Sequence, residues 1–299
     1  MDIASLRAFA AVAEHASFSE AADQLYLTQP AVSKRVRQLE DDLGVALFDR
    51  IGRKVTLTEA GRALLPRARR LLNDADEIRR ALADLSGDVS GKLLMGTSHH
   101  IGLHRLPDPL RQFTRDFPEV ELDIRFMDSE AACHAVEIGD LELAIVTLPP
   151  APLAHLSMQT IWDDPLEFMI ARDHPLAGRR PTSLAKLLQE PAVLPSSSTY
   201  TRRILEQAVR KQGLSLHIAM ETNYLETLQM LVASGLGWSL LPRTQLDDRV
   251  SAVPVQGLQL SRLLGAVTHE KRSLSNAAQA MISACHAGSA KHGQDASTR

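Results

Sequence analysis

Excess positive charge, cysteine, long apolar runs and catalytic signatures are all scarce or missing in this chain of 299 residues. The net charge is −3, so no global basic field draws nucleic acid, and any such affinity must come from a local patch. Two cysteines, Cys133 and Cys285, cannot build a disulfide framework. No apolar run approaches the roughly 18 residues of a membrane-spanning helix, so no membrane partner is expected. The opening MDIASLRAFA lacks the basic start and apolar stretch of a secretory signal, and the expected location is the cytoplasm. There is no G-x-S-x-G elbow, P-loop or dinucleotide fingerprint, so the chain is not read as an enzyme and no cofactor is expected. What remains is an ordinary globular balance, 44% hydrophobic and 23% charged, with length for about two domains.

Texture divides the chain into zones. Residues 1–58 are short amphipathic segments broken by turns, and 59–87 read as one long helix rich in Ala, Leu and Arg. A mixed strand and helix region spans 88–287, and the small polar residues 288–299 read as a flexible tail.

In the first zone, Leu6, Phe9, Ala10 and Ala13 lie at helical spacing, and Ser17 is placed to cap a second helix bearing Phe18, Ala21, Ala22 and Leu25. Thr28 is placed to cap a third, with Gln29 and Pro30 in its first turn, where proline's missing N–H costs nothing. Val32, Val36, Leu39 and Leu43 then make a buried stripe. Pro30, Lys34, Arg37 and Gln38 fall opposite, with Ser33 at the edge and Gln29 at the exposed end. A short helix, a tight turn and a basic-faced helix predict a helix-turn-helix whose second member docks in the major groove. There Gln pairs with adenine edges, while Lys and Arg reach guanine or phosphate. Two short strands around the basic tip Gly52-Arg53-Lys54 read as a wing for the minor groove or the phosphates.

The stretch ASFSEAADQLYLTQPAVSKRVRQLEDDLGVALFDRIGRKVTLTEAG resembles the DNA-binding signature of LysR-type transcriptional regulators. The resemblance implies an α/β protein overall. It comprises an N-terminal winged helix-turn-helix, a long linker helix that dimerises, and a two-lobed effector-binding domain of type 2 periplasmic-binding-protein architecture. Its DNA-binding positions here are Ser17, Phe18, Thr28, Gln29, Pro30, Ser33, Lys34, Arg37, Arg50, Arg53 and Lys54. It further implies a dimer of dimers on pseudo-palindromic promoter DNA, with RNA polymerase as a further partner.

The linker repeats Leu64, Ala68, Leu71, Ala75, Ile78, Leu82 and Leu85 at alternating spacings of four and three, an a/d seam for a partner helix. Pro66 interrupts its early part.

Beyond the linker, strands alternate with helices, which predicts a parallel-rich sheet with ligands at the strand C-termini. Lobe one is placed at about 91–162 and 267–287, and lobe two at about 163–266. Candidate effector-binding residues are Thr97, Ser98, His99, His100 and Thr147 at strand ends, with Ser196, Ser197, Ser198, Thr199 and Tyr200 before a helix start. Hydroxyls and helix-start N–H groups suit a small anion. His100 and His104 are four apart and would share a helix face, but no neighbouring Cys or carboxylate completes a metal set, so no metal site is assigned. Redox or metal sensing on the same fold is the alternative, with Cys133 and Cys285 as the thiols, and a small-molecule enzyme on that two-lobed fold is the remaining one.

Overall fold

Helix-capping side chains set the first elements of the computed structural model, which describes residues 1–51, 54–84, 88–178 and 180–295. The side chains of residues 50–51, 54, 76–77, 79–84 and 290–295 are outside that description. The chain divides into two compact units, one covering Met1–Ser86 and one covering most of Gly87–Arg299.

In the first unit, α1 (Ile3–His15) opens on Asp2, whose carboxylate accepts from the Ser5 N–H at 2.8 Å and the Ser5 hydroxyl at 2.9 Å. The Ser17 hydroxyl caps α2 (Phe18–Gln24) by accepting from the Glu20 N–H at 3.2 Å. Thr28 precedes α3 (Gln29–Leu43) with extended backbone, but its hydroxyl makes no capping bond, contrary to expectation. Pro30 sits where one of the two N–H groups a cap can bind would lie. Gly44, at φ +69°, closes α3 in the left-handed conformation that glycine adopts without strain. Strands β1 (Phe48–Ile51) and β2 (Lys54–Leu57) pair antiparallel as the wing. Helix α4 (Glu59–Asp84) runs on through Pro66, and Thr58 Oγ1 accepts from the Gly61 N–H at 3.0 Å to start it.

Phe9, Val12, Val32, Val36 and Leu39 fill the core beneath Phe48, whose ring meets Phe9 at 5.4 Å and Phe18 at 5.8 Å. Two expectations are corrected here. Leu43 is exposed, because Glu40 turns the chain by accepting from the Leu47 and Phe48 N–H groups, and those residues take the core position instead. Phe18 is a core ring with little surface exposed, so the DNA-binding role that the resemblance implies for it becomes one of supporting the DNA-binding elements from beneath.

The second unit begins with β3 (Gly91–Thr97), α5 (His99–His104), α6 (Pro107–Asp116), β4 (Val120–Phe126), α7 (Ser129–Ile138) and β5 (Leu143–Thr147). The long β6 (Leu156–Ala171) then leads to α8 (Leu184–Leu187), β7 (Ala192–Leu194), α9 (Tyr200–Lys211), β8 (Ile218–Glu221) and α10 (Leu225–Ala233). Next come β9 (Ser239–Pro242), a short 3-10 turn at Arg243–Gln245, β10 (Val250–Ala252), β11 (Leu260–His269) and α11 (Asn276–Asp295). The main sheet has the order β10-β6-β11-β5-β3-β4, with β9 also paired to β6, while β7 and β8 pair separately.

Only the β4-β3-β5 ladders of that sheet are parallel, and every ladder through β6 and β11 is antiparallel. This corrects the expected parallel-rich sheet: β6 carries the chain out of lobe one and β11 brings it back, so the two must run opposite ways. At the irregularity between Leu264 and Gly265, a Cβ on Gly265 would fall 2.1 Å from the Gln159 carbonyl oxygen, so only glycine permits that approach. Each lobe has its own core, around Met95, Phe113 and Met281 in one and Leu194, Leu205 and Trp238 in the other.

The flexible-tail expectation from residue 288 onward is also corrected, because α11 continues to Asp295. Gly288 lies close against Pro109, and the Ser289 hydroxyl donates to the Ile161 carbonyl at 3.0 Å. Small residues at this point let the helix lie against α6, and the Ala, Lys and Gln that follow favour helix.

Candidate functional site

On α3 the side chains of Gln29, Pro30, Lys34 and Arg37 are exposed, with Ser33 half-buried at the edge. Val32, Val36 and Leu39, all fully buried, hold the opposite side of the helix against α1 and α2. Thr28 is exposed and Ser17 half-buried at its cap. The turn before α3 places Tyr26 at φ +52° with its side chain 96% exposed, while the Leu27 N–H closes α2 on the Ala22 carbonyl. The side chains of Arg50, Arg53 and Lys54 lie outside the described residues.

The linker seam separates into two parts. Ala68 is fully buried in its own unit's core and so is closed to a partner helix, while Leu64 is half-buried with part of its side chain packed against that core. The physical reason is that the first half of α4 lies on α1, a face that Leu72 also fills. Further along, Leu71 is 50% and Ile78 64% exposed, with Ala75 half-buried between them. Leu82 and Leu85 are outside the described side chains.

Between the lobes lies a cleft of about 250 Å³. Lobe one contributes Ser98, His99, His100, Phe126, Asp128, Glu130 and Thr147, and lobe two contributes Thr199, Tyr200, Thr201, Asn223 and Tyr224. Hydrogen bonds to two lobe-one carboxylates are among the contacts that join the lobes across it. The Tyr200 N–H at the start of α9 donates to the Glu130 carboxylate, and the Asn223 amide donates to Asp128 at 2.7 Å. The His99 ring packs between Phe126 (5.3 Å) and Tyr224 (5.2 Å) at one side of the cleft.

Four expected effector residues, Thr97, Ser196, Ser197 and Ser198, are not in the cleft lining. Thr97 is fully buried and donates to the Ile145 carbonyl at 2.8 Å, tying β3 to β5 rather than facing a ligand. Ser196 and Ser197 lie outside the lining: the Ser196 N–H is taken by Asn223, and its hydroxyl pairs with that of Ser198 at 2.7 Å. Asp128, Glu130, Asn223, Tyr224 and Arg262 were not anticipated, since their strands and helices meet only through the two-lobed topology.

The electrostatic centre is Asp164 on β6, buried opposite Arg262 on β11. It accepts from Arg262 Nε and from Arg105 Nη2, both at 2.9 Å. Arg262 Nη1 donates to Thr201 Oγ1 at 3.0 Å, while the buried Nη2 has no hydrogen-bond partner among the described residues. Burial lowers the Arg262 pKa, opposed by the adjacent Asp164. Burial raises that of Glu130, chiefly against the hydrogen bonds it accepts.

His100 is buried beside the cleft, and burial, then Arg262 and His104, push its pKa down to about 4, so the imidazole is neutral at pH 7. Both thiols are buried, and that burial raises Cys133 to about 11 and Cys285 to about 12. Neither has the accessible, electropositive setting a redox-sensing thiolate needs. Among the described residues no helix is long and apolar enough to cross a membrane.

Residues 3–62 match the family described as bacterial regulatory helix-turn-helix protein, lysR family, and residues 86–290 match the LysR substrate binding domain. The chain is 68% identical, over 36% of its length and 74% of the relative's, to an uncharacterised HTH-type transcriptional regulator of Azotobacter vinelandii. It is 30% identical to a RuBisCO operon transcriptional regulator of Allochromatium vinosum, over 94% of each chain. In structure it resembles full-length CbnR in complex with its target DNA, with a TM-score of 0.68, 21% identity, and coverage of 96% of this chain and 100% of that one.

Proposed function

The chain belongs to the LysR family of transcriptional regulators rather than to a family of enzymes, and from that premise we propose how it works. It binds pseudo-palindromic promoter DNA in the cytoplasm as a dimer, further assembled as a dimer of dimers, and acts on transcription by RNA polymerase. One observation carries this: α3 presents Gln29, Pro30, Lys34 and Arg37 outward from a helix anchored by Val32, Val36 and Leu39. The exposed Leu71 and Ile78 supply the apolar seam for the partner helix, with Ala75 allowing close approach.

The effector is a small molecule bound between the lobes. The unpaired Nη2 of Arg262 favours an anionic group on it, and the hydroxyls of Ser98, Thr147 and Thr199 add hydrogen bonds. Asp128 and Glu130 in the same lining already accept from Asn223 and from the Tyr200 N–H, and their remaining lone pairs suit a donor elsewhere on the same molecule. The N-terminus of α9 does not serve as the anion site, because Glu130 already takes the Tyr200 N–H. Effector binding biases the closure of the lobes, and thereby the DNA-binding assembly, to the extent that it binds one state more tightly than the other.

The test is Arg37→Ala in the full chain, assayed by fluorescence anisotropy on a duplex selected from random sequence by the parent protein. The expected loss is about 1–3 kcal/mol of binding, and unchanged affinity from a folded variant would overturn the assignment of α3.

A further inference from the structure

Glu226 is far from any histidine in sequence, yet the fold brings it to two of them. His100 and His104 stand on one face of α5 in lobe one, their rings 4.5 Å apart, and Glu226 reaches them from α10 in lobe two. Glu226 Oε1 lies 3.6 Å from His100 Nδ1 and 3.6 Å from His104 Nε2. One ligand atom from each of the three residues falls within 4.8 Å of the others. We infer that His100, His104 and Glu226 form a site for a divalent transition metal of the zinc class that links the two lobes.

Ligand type, spacing and support agree. Two imidazole nitrogens and one carboxylate oxygen suit zinc, whose bonds of roughly 2.0–2.2 Å put tetrahedral ligand atoms about 3.3–3.6 Å apart. The two Glu226 distances, both 3.6 Å, already sit at the upper end of that range, and the two imidazole nitrogens, within 4.8 Å of each other, would have to draw together on the ion by side-chain rotation. Metal-bound histidines use their second nitrogen to hold their orientation, and His100 Nε2 lies 3.3 Å from Thr244 Oγ1.

The Gln245 amide nitrogen marks where the charge belongs. It lies 3.3 Å from His100 Nδ1 and 3.4 Å from Glu226 Oε1, so its N–H groups serve the same two acceptors that a cation would join. Metal binding would displace that amide. Three protein ligands leave the fourth tetrahedral position for water or another donor. Because the ligands come from both lobes, the ion holds them together and favours the state in which they meet.

The experiment is a titration of the metal-free full chain with Co²⁺, reading the visible absorption that tetrahedral Co²⁺ gives. The expected result is one saturable Co²⁺ per chain, displaced by Zn²⁺, with the band abolished in His104→Ala and at least tenfold weakened in Glu226→Gln. His134→Ala removes an exposed imidazole of α7 that pairs with Glu137 instead, and should leave the band unchanged. A folded parent with no band at excess Co²⁺, or a His104→Ala variant with the same band and stoichiometry, would overturn the site. Anisotropy on the selected duplex, run on the same samples, separates this outcome from any failure of the DNA-binding proposal, because neither histidine lies in the DNA-binding unit.

Discussion

Replacing Asp164 should unsettle the effector-binding unit more than replacing any one of its arginine partners. Asp164 is 1% exposed and is shared by two guanidiniums, each at 2.9 Å. Asp164→Asn leaves Arg105 and the buried Arg262 side by side with no counter-charge between them. Breaking a buried ion pair from one side costs about 3–5 kcal/mol. Arg105→Gln leaves the Asp164–Arg262 pair intact and removes one charge-assisted hydrogen bond, about 1.5–3 kcal/mol at most. Replacing the whole cluster, Asp164→Leu with Arg262→Met and Arg105→Met, should recover much of the loss, because neither guanidinium is then left without its counter-ion. Both tryptophans of the chain, Trp162 and Trp238, are buried in this unit, so urea unfolding followed by tryptophan fluorescence reports on it alone. An Asp164→Asn cost under about 1 kcal/mol, or a cost smaller than that of Arg105→Gln, would refute the account of a shared buried counter-ion.

Ala68→Leu should destabilise the first unit by about 1–3 kcal/mol through overpacking, whereas Leu71→Ala should leave that stability nearly unchanged and weaken self-association in sedimentation velocity. The reverse pattern would return Ala68 to the partner seam. Tyr26→Gly should raise thermal stability by up to about 1 kcal/mol, since Tyr26 holds a left-handed conformation with its side chain almost wholly in solvent; a lowered midpoint would show that the ring makes a contact worth more than the strain. The raised pKa of Glu130 gives its contribution a definite sign. A carboxyl whose folded pKa lies above its unfolded value stabilises fully below the unfolded pKa and loses that contribution as pH rises through the folded one. Unfolding of parent and Glu130→Gln, compared from pH 4 to 7, should therefore show the parent losing stability relative to the variant as pH rises, and the opposite trend would mean that the Tyr200 N–H outweighs burial.

The local chemistry of the first unit was legible residue by residue. Ser17 and Thr58 cap helices as their positions imply, and Val32, Val36 and Leu39 bury the face opposite Lys34 and Arg37, because capping and helical periodicity act within a few residues. The same local rules put Phe18 on the buried face of its helix but misplaced Leu43 at the border, where Glu40 decides which apolar groups the core admits. The a/d repeat of the linker was equally visible, but periodicity gives a stripe without saying what covers it. Only the tertiary structure assigns Ala68 to its own core and leaves Leu71 and Ile78 open.

In the second unit the sequence by itself determined the strand ends, and so Ser98, His100, Thr147 and Thr199 at the cleft, because a strand followed by a helix start brings its turn residues to the sheet edge. The fold alone decided the rest. The out-and-back passage of β6 and β11 sets Arg262 opposite Asp164, places Glu130 against Tyr200, and carries Glu226 to His100 and His104. Contacts between residues about a hundred positions apart leave no periodic trace in a single sequence, since each is made by topology and not by neighbours along the chain.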